Sequence, residues 1–241
     1  MPRAVILLSG GLDSATVAAI AKNDGYELFA LTIDYEQRHK IEIESAKKIA
    51  QHLGVAQHII MPIDLRLFGG SSLTSEKNVP KDVPLEQIGT SIPNTYVPAR
   101  NTVFLALALA YAESVGAEKI YIGISGIDYS GYPDCRPEFL QTFNTLANLA
   151  TKSGIESSAF SIEAPLLSLT KRETILCGLE HGVDYSLTLT CYDPSPEGKS
   201  CGRCESCLLR LHAFCEAGIP DPLEYDWREE SGVARCKPAE I

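Results

Sequence analysis

The residues with the clearest chemical potential by type and spacing are Ser9-Gly10-Gly11-Leu12-Asp13-Ser14. An apolar run, Ala4 to Leu8, leads into them, and a helical pattern leads out. Two glycines let backbone N–H groups approach an anion closely. Ser14 and the unpaired N–H groups of the new helix add donors, and the helix dipole favours negative charge at the same point. A plain strand-to-helix turn with a Ser or Asp cap would need only part of this pattern. The whole S-G-G-x-D-S therefore points to a bound phosphate. The lysine-bearing phosphate loop G-x-x-x-x-G-K-[ST] reaches the β- and γ-phosphates with that lysine. No lysine is present here, which raises the question of which phosphate bond is broken.

A second cluster is Cys201, Cys204 and Cys207, spaced C-x₂-C-x₂-C, with Cys191 ten residues earlier. Four thiolates at this spacing suit tetrahedral zinc in a closed structural site. An iron–sulfur cluster is the alternative for the same ligands. Of the other cysteines, Cys177 and Cys215 fall in helical patterns and are expected in the core. Cys135 and Cys236 receive no role.

A third cluster is Gly126 to Phe139, "GIDYSGYPDCRPEF". It holds Asp128, Tyr129, Tyr132, Asp134, Cys135, Arg136 and Glu138 within eleven residues. Tyrosines stack on planar rings, a carboxylate accepts two hydrogen bonds from a guanine-like edge, and an arginine clamps a carboxylate. A polar surface loop with Pro137 opening a helix is the plainer alternative. Arg100, just before a buried helix, and Lys171 are candidates for neutralising developing negative charge. A helix-end cation is the alternative for Lys171. Arg38 and His39 follow a strand and either line a nucleotide pocket or open a helix.

These residues need a frame to hold them. "RAVILL", "ELFALTIDY", "AQHIIMPID", "KIYIGIS" and "AFSIEAPL" read as strands. Helical patterns stand between them, several ending at a glycine such as Gly25, Gly54 or Gly182. Strand–helix alternation implies an α/β fold with a doubly wound, mostly parallel sheet. In such sheets ligands sit beyond the carboxyl ends of the strands, where Ser9–Ser14 and the 126–139 block both fall. Residues 65–98 lack a period and are expected to cover the site as a lid. After Leu189 the cysteines crowd in and the hydrophobic period fades. Residues 1–189 are thus expected to form the nucleotide-binding catalytic domain and 190–241 a small metal-held C-terminal subdomain.

The chain has 241 residues, 45% hydrophobic and 22% charged, enough for a full core. Its net charge of −10 argues against a broad basic footprint for tRNA or DNA. No direct nucleic-acid binding is therefore expected. The apolar stretch Val103 to Ala112 is about half a membrane span, and no signal-peptide core is read near Met1. A cytoplasmic protein with thiol or metal-bound cysteines is expected.

"SGGLDS" resembles the signature of the PP-loop, or N-type ATP pyrophosphatase, superfamily. The resemblance implies ATP cleaved between the α- and β-phosphates, with the substrate adenylated and pyrophosphate released. No lysine is then needed on the γ-phosphate. Mg²⁺ is the expected companion of the phosphates, with Asp13 a contributor. More specifically, "SGGLDS", "DYEQRH", "VPARN", "DYSGYPDCRPEF", "TCYDP" and "CGRCESCLLR", in this order, resemble the 7-cyano-7-deazaguanine synthase family over Leu8 to about Tyr225. The resemblance implies an enzyme making the 7-nitrile from 7-carboxy-7-deazaguanine, ammonia and ATP in queuosine-precursor synthesis. It implies zinc on Cys191, Cys201, Cys204 and Cys207. It places the ATP loop at Leu8, Ser9, Gly10, Gly11, Leu12, Asp13, Ser14, Ala15, Thr16, Val17 and Ala18. It implies a homodimer acting on small molecules, away from membranes. Two departures stand out. Ser125 replaces an Asn common before the tyrosine block, and "TLTCY" replaces "TWSCY". Within this reading Asp13, Arg100 and Lys171 are the catalytic candidates. Arg38 joins the nucleotide site, and Tyr132, Asp134 and Arg136 form the substrate set. A tRNA-acting PP-loop enzyme and a non-enzymatic nucleotide sensor are the competing readings.

Overall fold

The computed structural model describes residues 1–37, 41–126, 131–156 and 160–226. Five parallel strands form one sheet: β1 (Arg3–Leu7), β2 (Glu27–Asp34), β3 (Gln57–Pro62), β4 (Lys119–Tyr121) and β5 (Ser161–Glu163). Their order is β3-β2-β1-β4-β5. The chain starts at the centre, steps outward to β3, then returns to the other side of β1. Ala4 thus pairs with Leu28 on one side and Lys119 on the other. The order reverses at β1/β4, which opens a crevice at the strand ends.

Seven helices are described: α1 (Leu12–Asn23), α2 (Ile41–Leu53), α3 (Arg100–Val115), α4 (Pro137–Ala150), α5 (Lys152–Glu156), α6 (Lys171–Glu180) and α7 (Glu205–Glu216). They cover both faces of the sheet, as an all-parallel sheet requires. β1 alternates its side chains between the two cores. Val5 and Leu7 join Leu105, Leu109 and Phe143 under α3 and α4. Ala4, Ile6 and Leu8 join Val17, Ile49 and Ile175 under α1, α2 and α6.

The sequence reading of five strands in a doubly wound sheet agrees with this architecture. Several details differ. β4 ends at Tyr121; Ile122 still donates its N–H to the Glu163 carbonyl of β5 at 3.0 Å, and residues 123–125 run on from the sheet. The apolar α3 buries one stripe, Asn101, Leu105, Ala108, Leu109 and Ala112, rather than its whole circumference. A final helix, α7, stands where the hydrophobic period fades in the sequence. Its buried positions are Cys207, Arg210, Ala213 and Phe214, so cysteine and arginine disguise a helical stripe. Cys177 and Cys215 are half-buried rather than core residues, and Cys215 is disulfide-bonded. Cys236 lies outside the described residues.

The C-terminal segment shares the main core. Cys191, Cys201, Cys204 and Cys207 belong to the cluster under α3. Arg210, 2% exposed, pairs with Asp221 at 2.7 Å and donates to Thr188 Oγ1 at 2.7 Å and to the Tyr185 carbonyl at 3.2 Å. Tyr185 in turn reaches α1, its hydroxyl 2.8 Å from Thr16 Oγ1. A Cβ at Gly178 would lie 1.9 Å from that hydroxyl, so α6 needs glycine there to let Tyr185 pass.

Candidate active site

The phosphate loop is tied by its own hydroxyls. Ser9 N–H donates to Ser14 Oγ at 3.2 Å, and Ser14 Oγ donates to the Gly11 carbonyl at 3.1 Å. Gly11 caps α1 with no side chain. The first-turn N–H groups therefore have no partner within the helix and face the loop's opening. Gly10 has φ +89°, and a Cβ there would lie 2.2 Å from the Glu42 carbonyl oxygen. The first turn of α2 thus seals one side of the loop. On the other side β4's continuation packs so closely that a Cβ at Gly123 would lie 2.8 Å from Ser14 N.

Lys171 opens α6, and a reciprocal Thr170–Glu173 capping box fixes that helix start. Its ammonium donates to both Asp13 carboxylate oxygens, at 2.9 and 2.8 Å, and to Ser125 Oγ at 3.3 Å. The pair is mostly shielded from water, so Lys171 is held at the loop rather than loose at the surface. The sequence departure Ser125 is therefore a direct partner of this lysine.

Arg100 reaches the same space from α3. The residue before it, Ala99, is left-handed at φ +53°, and its N–H donates to Tyr96 Oη at 3.0 Å. This strained turn sets the start of α3. The Arg100 guanidinium lies 5.8 Å from the Tyr35 ring centre and 5.9 Å from that of Phe104. Cation–π attraction to both rings holds the charge in place. Nearby, Glu42 has its pKa pushed up to about 7 by burial, with Arg100 and a 2.7 Å bond from Gln37 Nε2 pulling the other way. Burial and the Glu42 charge also push the Tyr35 hydroxyl up to about 12.

These groups enclose a cavity of about 230 Å³. Ser9, Gly11, Asp13 and Ser14 form one end. Tyr35, Glu42 and Arg100 form a second wall, and Tyr132, Cys135, Thr190, Cys191 and Tyr192 a third. Tyr132 is placed by its hydroxyl, 3.2 Å from Thr95 Oγ1, and by the tilted Tyr96 ring. Asp134 and Arg136 are not among the cavity-lining residues. The Asp134 carboxylate accepts the Asn101 N–H at 2.8 Å, and Asn101 Nδ2 returns a bond to the Asp134 carbonyl. "VPARN" and "YPDC" are thereby locked together. Arg136 is exposed and donates to the Pro133 carbonyl. Arg38, His39, Asp128 and Tyr129 lie outside the described residues. Glu42 lines the cavity without any sequence signal beyond its neighbours, whereas Thr190 opens "TCYDP" within the "TLTCY" departure and Ser206 stands inside "CGRCESCLLR". Tyr35, Asn101 and Tyr192 sit inside "DYEQRH", "VPARN" and "TCYDP" but were given no role in the sequence reading.

The four cysteine sulfurs lie within 4.8 Å of one another and are buried. Zinc–sulfur bonds of about 2.3 Å set tetrahedral sulfurs about 3.8 Å apart, close to the 4.0 Å between Cys201 and Cys207. Backbone N–H groups point at the sulfurs: Cys201 and Asp193 at Cys191 Sγ, 3.2 and 3.3 Å, and Cys204 at Cys201 Sγ, 3.3 Å. Such donors stabilise thiolates, the form that binds a metal. The donor set fits a metal ion. Residues 65–98 are fixed against it. Lys81 bridges to Cys204, Asp82 pairs with Arg203, and Lys81 pairs with Asp193 at 2.8 Å. Leu73 from this segment reaches the cavity.

The model of the family described as "Queuosine biosynthesis protein QueC" matches residues 3–218. Among curated proteins, a 7-cyano-7-deazaguanine synthase of Paramagnetospirillum magneticum is 56% identical over 225 residues, 93% of this chain and 99% of its own. The enzyme of the same name from Desulfatibacillum aliphaticivorans is 55% identical over 92% of this chain and 96% of its own. That from Myxococcus xanthus is 54% identical over 92% and 97%. The match spans the phosphate loop, the tyrosine block and the cysteine cluster together, and the chain belongs to the QueC family of queuosine biosynthesis proteins.

Proposed function

We propose that the protein converts 7-carboxy-7-deazaguanine, ammonia and ATP into 7-cyano-7-deazaguanine. The observation that carries this reading is the shared cavity: the lysine-free phosphate loop, Arg100 and Tyr132 open into one space. A carboxylate is a poor electrophile. Transfer of AMP to its oxygen, with pyrophosphate leaving, makes AMP the leaving group. Ammonia then forms the amide, releasing AMP and a proton. A second transfer of AMP to the amide oxygen, and its loss with a second proton, gives the nitrile. The loop N–H groups, Ser9 and Ser14 hold the departing phosphates. Lys171 and Arg100 stabilise the growing negative charge. Tyr132 contacts the planar base, while Asp134 and Arg136 keep its loop in place through Asn101 and Pro133.

Cys191, Cys201, Cys204 and Cys207 would hold Zn²⁺, which supplies a closed structural knot and no open coordination position. Mg²⁺ would accompany the ATP phosphates near Asp13. Small-molecule chemistry needs no nucleic acid, and among the described residues no helix is long and apolar enough to cross a membrane. A homodimer is the proposed assembly, and Leu146, Leu149 and Ile155 expose apolar surface beside one another in sequence.

The test is one incubation with 7-carboxy-7-deazaguanine, ammonium, Mg²⁺ and ATP, read by mass spectrometry. Nitrile with two AMP per product supports the reading. Nitrile with ADP overturns the α–β cleavage, and no nitrile from protein that binds ATP overturns the substrate.

A further inference from the structure

Buried polar side-chain atoms in a folded protein are nearly always hydrogen-bonded, and an unpaired one asks for an explanation. Among the described residues two such atoms have no partner, Asn148 Oδ1 and Thr190 Oγ1. Asn148 is not a cavity residue, and its amide nitrogen bonds the Asn144 and Phe160 carbonyls. Thr190 is different, because it lines the cavity. It stands between a metal-site ligand, Cys191, and Leu189, whose N–H donates to the Gly10 carbonyl at 2.9 Å. Its side chain lies against the phosphate loop, with Cγ2 3.4 Å from a Cβ built on Gly11.

The two γ atoms of threonine are nearly the same size. A turn of about 120° about χ1 carries the hydroxyl into the staggered position the methyl held and moves the methyl to that of the Cβ hydrogen. In the observed rotamer the methyl faces the loop and the hydroxyl is sealed off without a partner. In the turned rotamer the hydroxyl faces the loop, where its O–H has an anionic acceptor whenever phosphate is bound. An unpaired buried hydroxyl is destabilising, and a hydrogen bond to a charged group offsets that loss.

We infer that Thr190 is a nucleotide-binding residue whose hydroxyl, unpaired in the free protein, donates to a phosphate oxygen of ATP on the loop Ser9–Ser14. Its placement beside Cys191 makes the cysteine knot the support of that donor. The inference rests on the proposed ATP chemistry and adds to it a residue from the far end of the chain.

The experiment compares wild type, Thr190→Val and Thr190→Ser. Binding of Mg²⁺ with α,β-methylene-ATP, and separately of 7-carboxy-7-deazaguanine, is measured by calorimetry. Unfolding temperature without ligand and zinc content are measured alongside. Valine keeps the shape and removes the hydroxyl. The expected result is nucleotide affinity lower by about tenfold in Thr190→Val and close to wild type in Thr190→Ser. The unliganded valine variant is expected to be as stable as wild type or more so, with equal zinc. Unchanged nucleotide affinity in a wild type that binds the analogue overturns this inference alone. A loss confined to 7-carboxy-7-deazaguanine overturns the phosphate assignment. A clear drop in the unliganded unfolding temperature shows a hydroxyl already bonded, and overturns it too. A wild type that binds no analogue overturns the proposed function, and this inference with it.

Discussion

Glu42 gives the sharpest quantitative test of how the cavity is built. Its carboxylate stands in the first turn of α2, Oε1 2.7 Å from Gln37 Nε2. The Gln37 amide is itself oriented, because its oxygen accepts the Tyr35 N–H at 3.0 Å. Burial raises the Glu42 pKa from 4.5 to about 7, the Asp34 charge adds to the rise, and Arg100 and Gln37 oppose it. Between those values the folded protein keeps a proton that the unfolded chain releases. Stability therefore falls as pH rises through 4.5 to 7 and stays lowered above it. At about 1.36 kcal/mol per pH unit, the rise corresponds to about 3 kcal/mol as an upper figure. Glu42→Gln keeps an oxygen for the Gln37 amide and carries no charge. Urea unfolding of both proteins from pH 4.5 to 8.5 isolates the group, since Asp34, Tyr35 and Arg100 are common to both. The two are expected to agree within about 1 kcal/mol at pH 4.5. At pH 8 the variant is expected to be more stable, by up to about 3 kcal/mol. Parallel stability curves across the range would refute the reasoning, and Glu42 would then be a solvated carboxylate.

Three other substitutions probe the remaining supports. Lys171→Met leaves the Asp13 carboxylate without the ammonium that grips both its oxygens, and turnover is expected to fall by about 10²-fold or more in steady-state assays. Cys204→Ser removes a ligand from the most buried corner of the metal site, and elemental analysis is expected to show the bound metal lost and unfolding no longer a single transition. Gly178→Ala drives a Cβ to within 1.9 Å of the Tyr185 hydroxyl, and thermal unfolding is expected to show about 1–3 kcal/mol of destabilisation.

Much of the fold was legible because β1 and the phosphate loop are local signals. Five short apolar runs separated by helical patterns are enough to imply a parallel sheet, and "SGGLDS" carries its own backbone chemistry. The cysteine spacing was legible for the same reason, three of its four ligands lying within seven residues. What stayed hidden depends on contacts between distant segments. Asp134 reads as a substrate carboxylate in sequence, yet its oxygen is taken by the backbone of Asn101, 33 residues away. Glu42 carries no signal of its own in the sequence, since nothing local reveals that its carboxylate is buried near Arg100. α7 was missed because Arg210 occupies an inward position that only the distant Asp221 makes tolerable.

The boundary expected at 189/190 from composition runs through the cavity wall, and the core continues across it. Leu189, Thr190 and Cys191 all line that wall. Leu189 binds the phosphate loop through Gly10, and Cys191 binds the knot. A structural metal usually stabilises the segment that carries it. Here one residue separates the metal ligand from a neighbour of Gly11, so ordering the knot also orders the loop-facing wall. Residues 65–98 strengthen the same link, because Lys81 and Asp82 fasten them to the knot while Leu73 reaches the cavity. Zinc on the four cysteines would leave no open position for chemistry, yet it would bear on the proposed catalysis through the geometry of the wall that the knot holds.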